Sequence, residues 1–299
     1  MLKKRSLSGA LSPQRRTTGS DLWTELLVER PFLAASRNTE EQSRRWILGV
    51  DSSMADMLAV VSSSTGSVPR VAVFAAWIST TCGGAFAILL GALHLIEPEY
   101  DPSWRFISEY ALGQFGWIMT LAFVAIAANL GGVALVAATQ LRGVVGRIGL
   151  LIIVIAVVGF VIAAAFKTDP MTIAPREATF SGKMHVIGAS LDFTPLGALL
   201  VSVGLSRIAA WRPVQAPLFF AAFVAIGLTA LFMVTLPPDG NFGPSVHAGV
   251  VGRFLLLSYL GWTFTVAWHA IRLNRQEGQA RKGRLFCSAP IGRTNRGQL

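Results

Sequence analysis

Charge is scarce in this chain. Only 14% of its 299 residues are Asp, Glu, Lys or Arg, and 53% are hydrophobic. A soluble domain carries about 25% charged residues, so a water-facing surface of ordinary size cannot be built from this composition. Cysteine is almost absent, with Cys82 in an apolar run and Cys287 in a basic segment. Neither lies where an oxidising compartment would pair it, so no disulfide is expected. Histidine occurs four times. The chain has no Walker A loop, no GxSxG, no HExxH and no CxxC. Energy coupling by nucleotide hydrolysis is therefore unsupported, and no cofactor is implied by motif.

What the chain does have is long apolar runs. Six of them cover roughly 71–95, 116–139, 146–166, 184–206, 216–236 and 248–270. Each has the ~20 residues that a helix needs to cross the hydrocarbon core. Lipid admits only helices or closed barrels, and these runs are too continuous for barrel strands. The expected fold is all-α: a polytopic membrane protein with six transmembrane helices in three hairpins.

The basic residues set the expected orientation. Of the 26 Lys and Arg, ten precede the first run and seven follow the last. Arg142, Arg147, Arg207 and Arg212 fall in the connections on that same side. The opposite side has Arg105, Lys167, Arg176, Lys183 and Arg253. The positive-inside rule then puts both termini in the cytoplasm and the chain in the plasma (inner) membrane. The net charge of +10 reads as a topology signal. It is spread over loops and tails without a recognition motif, so lipid rather than nucleic acid is the expected partner. The sequence is silent on oligomeric state.

Residues 1–70 form a separate basic region, read as a disordered cytoplasmic tail. Its stretch "DLWTELLVERPFLAA" has the pattern of a short interfacial helix. Met54 and Met57 are alternative starts to Met1. Residues 71–270 form the membrane domain, and 271–299 read as a basic disordered tail attracted to anionic lipid heads. Aromatic residues at the run edges (Trp104, Trp117, Trp211, Trp262, Trp268) read as interface anchors.

Polar chemistry gathers at the side opposite the tails. His94, His185 and His247 lie there, and His269 lies at the other end. Glu97, Glu99, Asp101, Glu109, Asp169, Glu177, Asp192 and Asp239 are on the same side or close to it. His and carboxylate are zinc ligands and acid–base groups, although loop carboxylates are often simply solvated. His94, His185 and His247 are the candidate metal ligands. Two residues lie deeper. Asp192 is seven residues past His185, about 10 Å down a continuous helix and on the same face. An acid at that depth points to a bundle interior or cavity, and Pro195 beside it predicts a bend. Arg253 is six residues into the last run, and the plain alternative for it is snorkelling to the interface. The sharper expectation is an ion pair with Asp192 or Glu109.

The stretch "YDPSWRFISEYALGQFGW", then "FKTDP", "SGKMH" and "GRF", resembles the domain-of-unknown-function 998 family of six-helix prokaryotic membrane proteins. The resemblance spans about 80–270. Its most specific block holds Asp101, Pro102, Ser108, Glu109, Gly116 and Trp117, and Asp169, Gly182, His185 and Arg253 also match. His94 and His247 fall outside the pattern. The resemblance implies fold and topology and names no activity.

Three functions fit these residues. The first is a membrane protein that binds a lipid or small apolar ligand at a polar cluster of Ser108, Glu109, Asp169, His185, Asp192 and Arg253. The second is a membrane-embedded hydrolase, acid–base or metal-dependent, with Ser108, Glu109, Asp169 and His185 as catalytic candidates. The third is a proton-coupled transporter using Asp192. "RFISEYALGQFGWIM" is expected as a short amphipathic helix on the membrane surface.

Overall fold

The computed structural model describes residues 68–238 and 240–287. Residues 1–67, which include Met54 and Met57, together with Asp239 and residues 288–299 lie outside the described residues. The described chain is helical, without strands. Its helices are α1 (Arg70–Ile96), α2 (Gly116–Gln140), α3 (Val144–Ala165), α4 (Phe180–Ser190), α5 (Thr194–Ser206), α6 (Gln215–Thr235) and α7 (Ala248–Cys287). Short 3₁₀ turns lie at Ile107–Leu112, Pro175–Glu177 and Ala209–Val214. Six segments are long and apolar enough to cross a membrane, as expected.

The spans form three antiparallel hairpins: α1 with α2, α3 with α4 and α5, and α6 with α7. Helix α7 packs back on α1 and closes the circuit, and α2 also touches α5 and α7. It is the most buried span, with core residues from Met119 to Val136. The connections at one end are short, 141–143 and 207–214. Those at the other end, 97–115, 166–179 and 236–247, are longer. These are called the basic end and the loop end below.

Two departures from the expected architecture bear on the site. The fourth span is not one helix over 184–206. It begins at Phe180, stops at Ser190 and restarts at Thr194. Pro195 in the first turn of α5 has no N–H to give, so the ladder cannot run through it. Thr179 starts α4 by accepting from Gly182 N–H at 3.0 Å. The second departure is at the C-terminal side, where α7 runs on to Cys287, so the segment after 270 begins as helix.

The interface reading of the tryptophans holds for Trp117 and Trp268, which are exposed. It fails for Trp211 and Trp262, which are fully buried. Each indole N–H has an internal acceptor, Gln140 Oε1 at 3.2 Å for Trp211 and Ser202 Oγ at 3.0 Å for Trp262. A satisfied N–H lets so large an apolar surface enter the core.

Close backbone approach holds the second hairpin together. A Cβ on Gly188 of α4 would lie 2.7 Å from the carbonyl oxygen of Gly159 on α3. A Cβ on Gly204 of α5 would lie 2.8 Å from Gly146 Cα on the same α3. Small residues at such crossings replace the hydrophobic driving force that lipid removes. Gly188→Leu is expected to lower the thermal midpoint of the detergent-purified protein, at a cost of about 1–3 kcal/mol from overpacking. Gly84→Leu, where the added side chain meets open space, should melt like the parent. Equal midpoints for the two variants would show that this crossing does not limit stability.

Candidate functional site

The first long loop carries the most polar content, and one residue organises it. Arg253, in the second turn of α7, donates from Nε to His94 Nε2 at 2.7 Å. Its Nη1 reaches the carbonyl oxygens of Pro102 (3.0 Å), Arg105 (2.8 Å) and Gly249 (3.0 Å). Its Nη2 points to the Tyr110 hydroxyl at 3.5 Å. The guanidinium also lies over the Tyr110 ring, 5.8 Å from its centre. Gly249 allows this docking, because a Cβ there would sit 2.7 Å from Arg105 O. Val250 N–H donates to Ser103 O at 3.1 Å beside it.

The expected ion pair of Arg253 with Glu109 or Asp192 is not formed. The reason is its position at the head of α7, where two loop carbonyls, the Gly249 carbonyl of its own helix and an imidazole already take its fork of donors. A guanidinium can only donate, so His94 Nε2 accepts. His94 Nδ1 therefore carries the proton and donates to Leu90 O at 2.6 Å. The sequence expectation for His94 was a metal ligand outside the family pattern, whereas here it pairs with Arg253. The signal that could have linked it to Arg253 was its place at the end of α1, level with the start of α7.

Glu109 is buried, and its partner is Arg105 one helical turn back, at 2.8 Å. Its Oε1 also accepts from Met171 N–H at 3.1 Å, which ties the first loop to the second. Arg105 stacks on Trp104, 4.3 Å from the ring centre. Glu97 is equally buried and accepts from Phe115 N–H at 2.6 Å, at the head of α2. The Oε2 atoms of Glu97 and Glu109 and the Nε of Arg105 have no partner. The stretch around Ser108 is therefore a folded 3₁₀ turn with Glu109, Tyr110 and Ala111 inside, in place of an interfacial helix. Burial raises the Tyr110 hydroxyl above its ordinary value, and the Arg253 contact opposes this. Tyr100 is also raised, by burial and then by Glu97. The Asp101 carboxyl is lowered, chiefly by the Ser103 N–H at 2.8 Å.

The other expected residues have their own partners. Asp169 accepts from Thr179 N–H (2.7 Å) and Thr179 Oγ1 (2.8 Å) and fastens the second loop to the start of α4. His185 is buried, with Nδ1 3.1 Å from Ala163 O and 2.9 Å from Phe166 O, so it ties α4 to the end of α3. The Ser108 hydroxyl has no hydrogen bond among the described residues. Ser108, Glu109, Asp169 and His185 are thus not joined as a nucleophile and its base. His247 is exposed at the start of α7 and has no side-chain hydrogen bond among the described residues. Among the described residues no three His, Cys, Asp or Glu side chains are grouped to hold a metal ion.

Asp192 lies in the gap of the fourth span. Its Oδ1 accepts from Thr194 N–H at 3.2 Å and caps α5, and its Oδ2 accepts from the Tyr259 hydroxyl of α7 at 3.0 Å. The shared face with His185 expected of one helix is lost with the break. Tyr259 is six residues beyond Arg253, about 9 Å down α7. The Asp192–Tyr259 bond therefore lies well inside the span. Nearer the basic end the interior is closed by Trp262, Leu205 and Trp211, all fully buried.

The family model described as a protein of unknown function (DUF998) matches residues 80–269, well over half of the chain. No curated protein and no solved structure matches.

Arg253→Lys is expected to free the first loop, since one ammonium cannot serve an imidazole and three carbonyls at once. Bonds to a charged group contribute about 1.5–3 kcal/mol each, so Arg253→Ala should cost more than any single one of them. Limited trypsin digestion checks both variants, with faster cutting after Arg105 than in the parent. Unchanged cutting would mean that the loop does not depend on Arg253.

Proposed function

The chain belongs to the DUF998 family and is a multi-pass membrane protein, and from that premise we propose that it binds a lipid or small apolar ligand in its loop-end half. The observation that carries this reading is the uneven packing of the broken span. α5 is packed against both α3 and α6, whereas the substantial packing of α4 is with α3 alone. α4 turns Val186 and Ile187 outward, and Phe193 at the break is also exposed. An apolar flank therefore starts at the polar rim near Lys183 and ends at Asp192, which is half-buried at the break. A hydrocarbon chain fits such a flank. A single polar group on the ligand would find the Asp192 carboxylate at its lower end. We place the loop end on the outer face and both termini in the cytoplasm, from the distribution of Lys and Arg.

The hydrolase reading has less support, because Glu109, Asp169 and His185 each already hold a structural partner. The transport reading rests on Asp192 within the bilayer, and the closed interior below Trp262 weighs against a polar path through the bundle.

Native mass spectrometry of the detergent-purified protein tests the proposal. Wild type should retain a lipid or apolar small molecule. Ile187→Trp, which fills the flank, should reduce retention several-fold. Val154→Trp, an exposed position on α3, should leave it unchanged. Wild type emerging without any bound molecule would overturn the reading, and so would equal retention by Ile187→Trp.

A further inference from the structure

A second site lies at the opposite end of the molecule and does not depend on the flank of α4. Arg253 and Arg272 are 19 residues apart on one continuous helix, about 29 Å by helical rise. That is close to the ~30 Å of a hydrocarbon core. Arg253 thus marks one membrane surface and Arg272 the other. Around Arg272 a cavity of about 270 Å³ is lined by Trp268, Ile271, Arg272 and Arg275. The spacing i, i+3, i+4, i+7 puts all four on one face of α7.

The four side chains divide by chemistry. Ile271 is buried at the base and Trp268 is half-exposed, so the membrane side of the cavity is apolar. Arg272 and Arg275 are exposed on the water side and have no ion pair or hydrogen bond among the described residues. This helix face is held in place from behind. His269 donates from Nε2 to Ala210 O at 2.8 Å, and its ring meets Trp211 edge-on, 4.9 Å between centres. Two like charges one turn apart repel each other, and a shared anion removes that repulsion. The volume suits a headgroup and is small for a whole drug-sized ligand.

We propose that this cavity binds the phosphate of an anionic phospholipid. Arg272 and Arg275 take the phosphodiester oxygens, and Trp268 and Ile271 meet the glycerol and the first acyl carbons. Arg is suited to this by its paired donors, and a tryptophan at headgroup depth is suited to both phases. The other basic loops at this end, with Arg142, Arg147, Arg207 and Arg212, add general attraction but do not line the cavity.

The test uses the full chain in mixed micelles with phosphatidylglycerol or phosphatidylcholine, read by native mass spectrometry and by thermal midpoint. Wild type should retain phosphatidylglycerol in preference and melt higher with it. R272Q/R275Q should lose about thirtyfold in retention, as expected for two basic residues near an anionic surface. R142Q/R147Q, which removes as much charge elsewhere at this end, should lose far less, only its share of the general attraction. R272K/R275K should keep most of the preference, since a phosphate also accepts point charges. Equal loss in R142Q/R147Q would reduce the effect to diffuse charge and overturn the site. Undiminished binding by R272Q/R275Q would do the same, and so would equal stabilisation of wild type by inorganic phosphate alone. Should R272Q/R275Q fail to fold, an R272K/R275K protein without the lipid preference would still overturn it.

Discussion

Most polar groups that this chain takes into the bilayer find a partner inside the protein, the Asn129 Oδ1 and Thr194 Oγ1 atoms being exceptions. Lipid offers no hydrogen bonds, and an unsatisfied group costs several kcal/mol there. The interior follows from that constraint. Asn129 on α2 donates to the carbonyl and hydroxyl of Ser79 on α1, at 2.9 and 3.1 Å. Trp262 takes Ser202, Trp211 takes Gln140, and His269 takes Ala210 O. Each bond joins two different segments of the bundle. Polar side chains thus fix which helices meet, where greasy faces alone would pack in several ways. The break in the fourth span obeys the same rule: Asp192 caps the new helix and Tyr259 satisfies its other oxygen.

Helix number, most span limits and pairing were legible in the sequence because they depend on local quantities: the length of an apolar run and the brevity of a loop. The disruption at Pro195 was also legible, since proline acts on its own backbone. What the break did to its neighbours was not. Seven residues between His185 and Asp192 mean a shared face only while the helix continues, and it stops between them. The partners of Arg253 were hidden for a different reason. A search for opposite charge picks Glu109 or Asp192, whereas the side chain is held by backbone carbonyls, which every residue has. The tryptophans show a third kind of limit. Trp211 and Trp262 look like Trp117 and Trp268 at the edges of apolar runs, and only the distant acceptors Gln140 and Ser202 separate buried from interfacial.

The loop end gathers carboxylates without making them one site. Glu97 meets the Phe115 N–H at the head of α2, Glu109 holds Arg105 and the second loop, and Asp169 holds Thr179, the residue that caps α4. A carboxylate at the head of a helix meets free N–H groups and the positive end of the dipole. The residues that most resemble an active site by composition are therefore the ones that set the loops in place. Their arrangement leaves α4 attached along α3, at its first turn and through His185 against Phe123 of α2, with Val186 and Ile187 turned to the surroundings.

The two halves of the bundle consequently differ in kind. Toward the basic end, α5 packs on α6 and lies tight against α3 through Gly204 and Gly197, and large side chains fill the centre. Toward the loop end, α4 is held on one side by Gly188 and His185, and the chain spends its polar residues on closing loops above it. A continuous fourth helix would carry the tight packing of α5 upward and remove this difference. The interruption at residues 191–193 is what lets one half be a closed core while the other keeps an apolar flank. Asp192 stands at the boundary because a helix that stops inside a membrane needs a cap there, and the cap is also the deepest polar group that anything lying along α4 would meet.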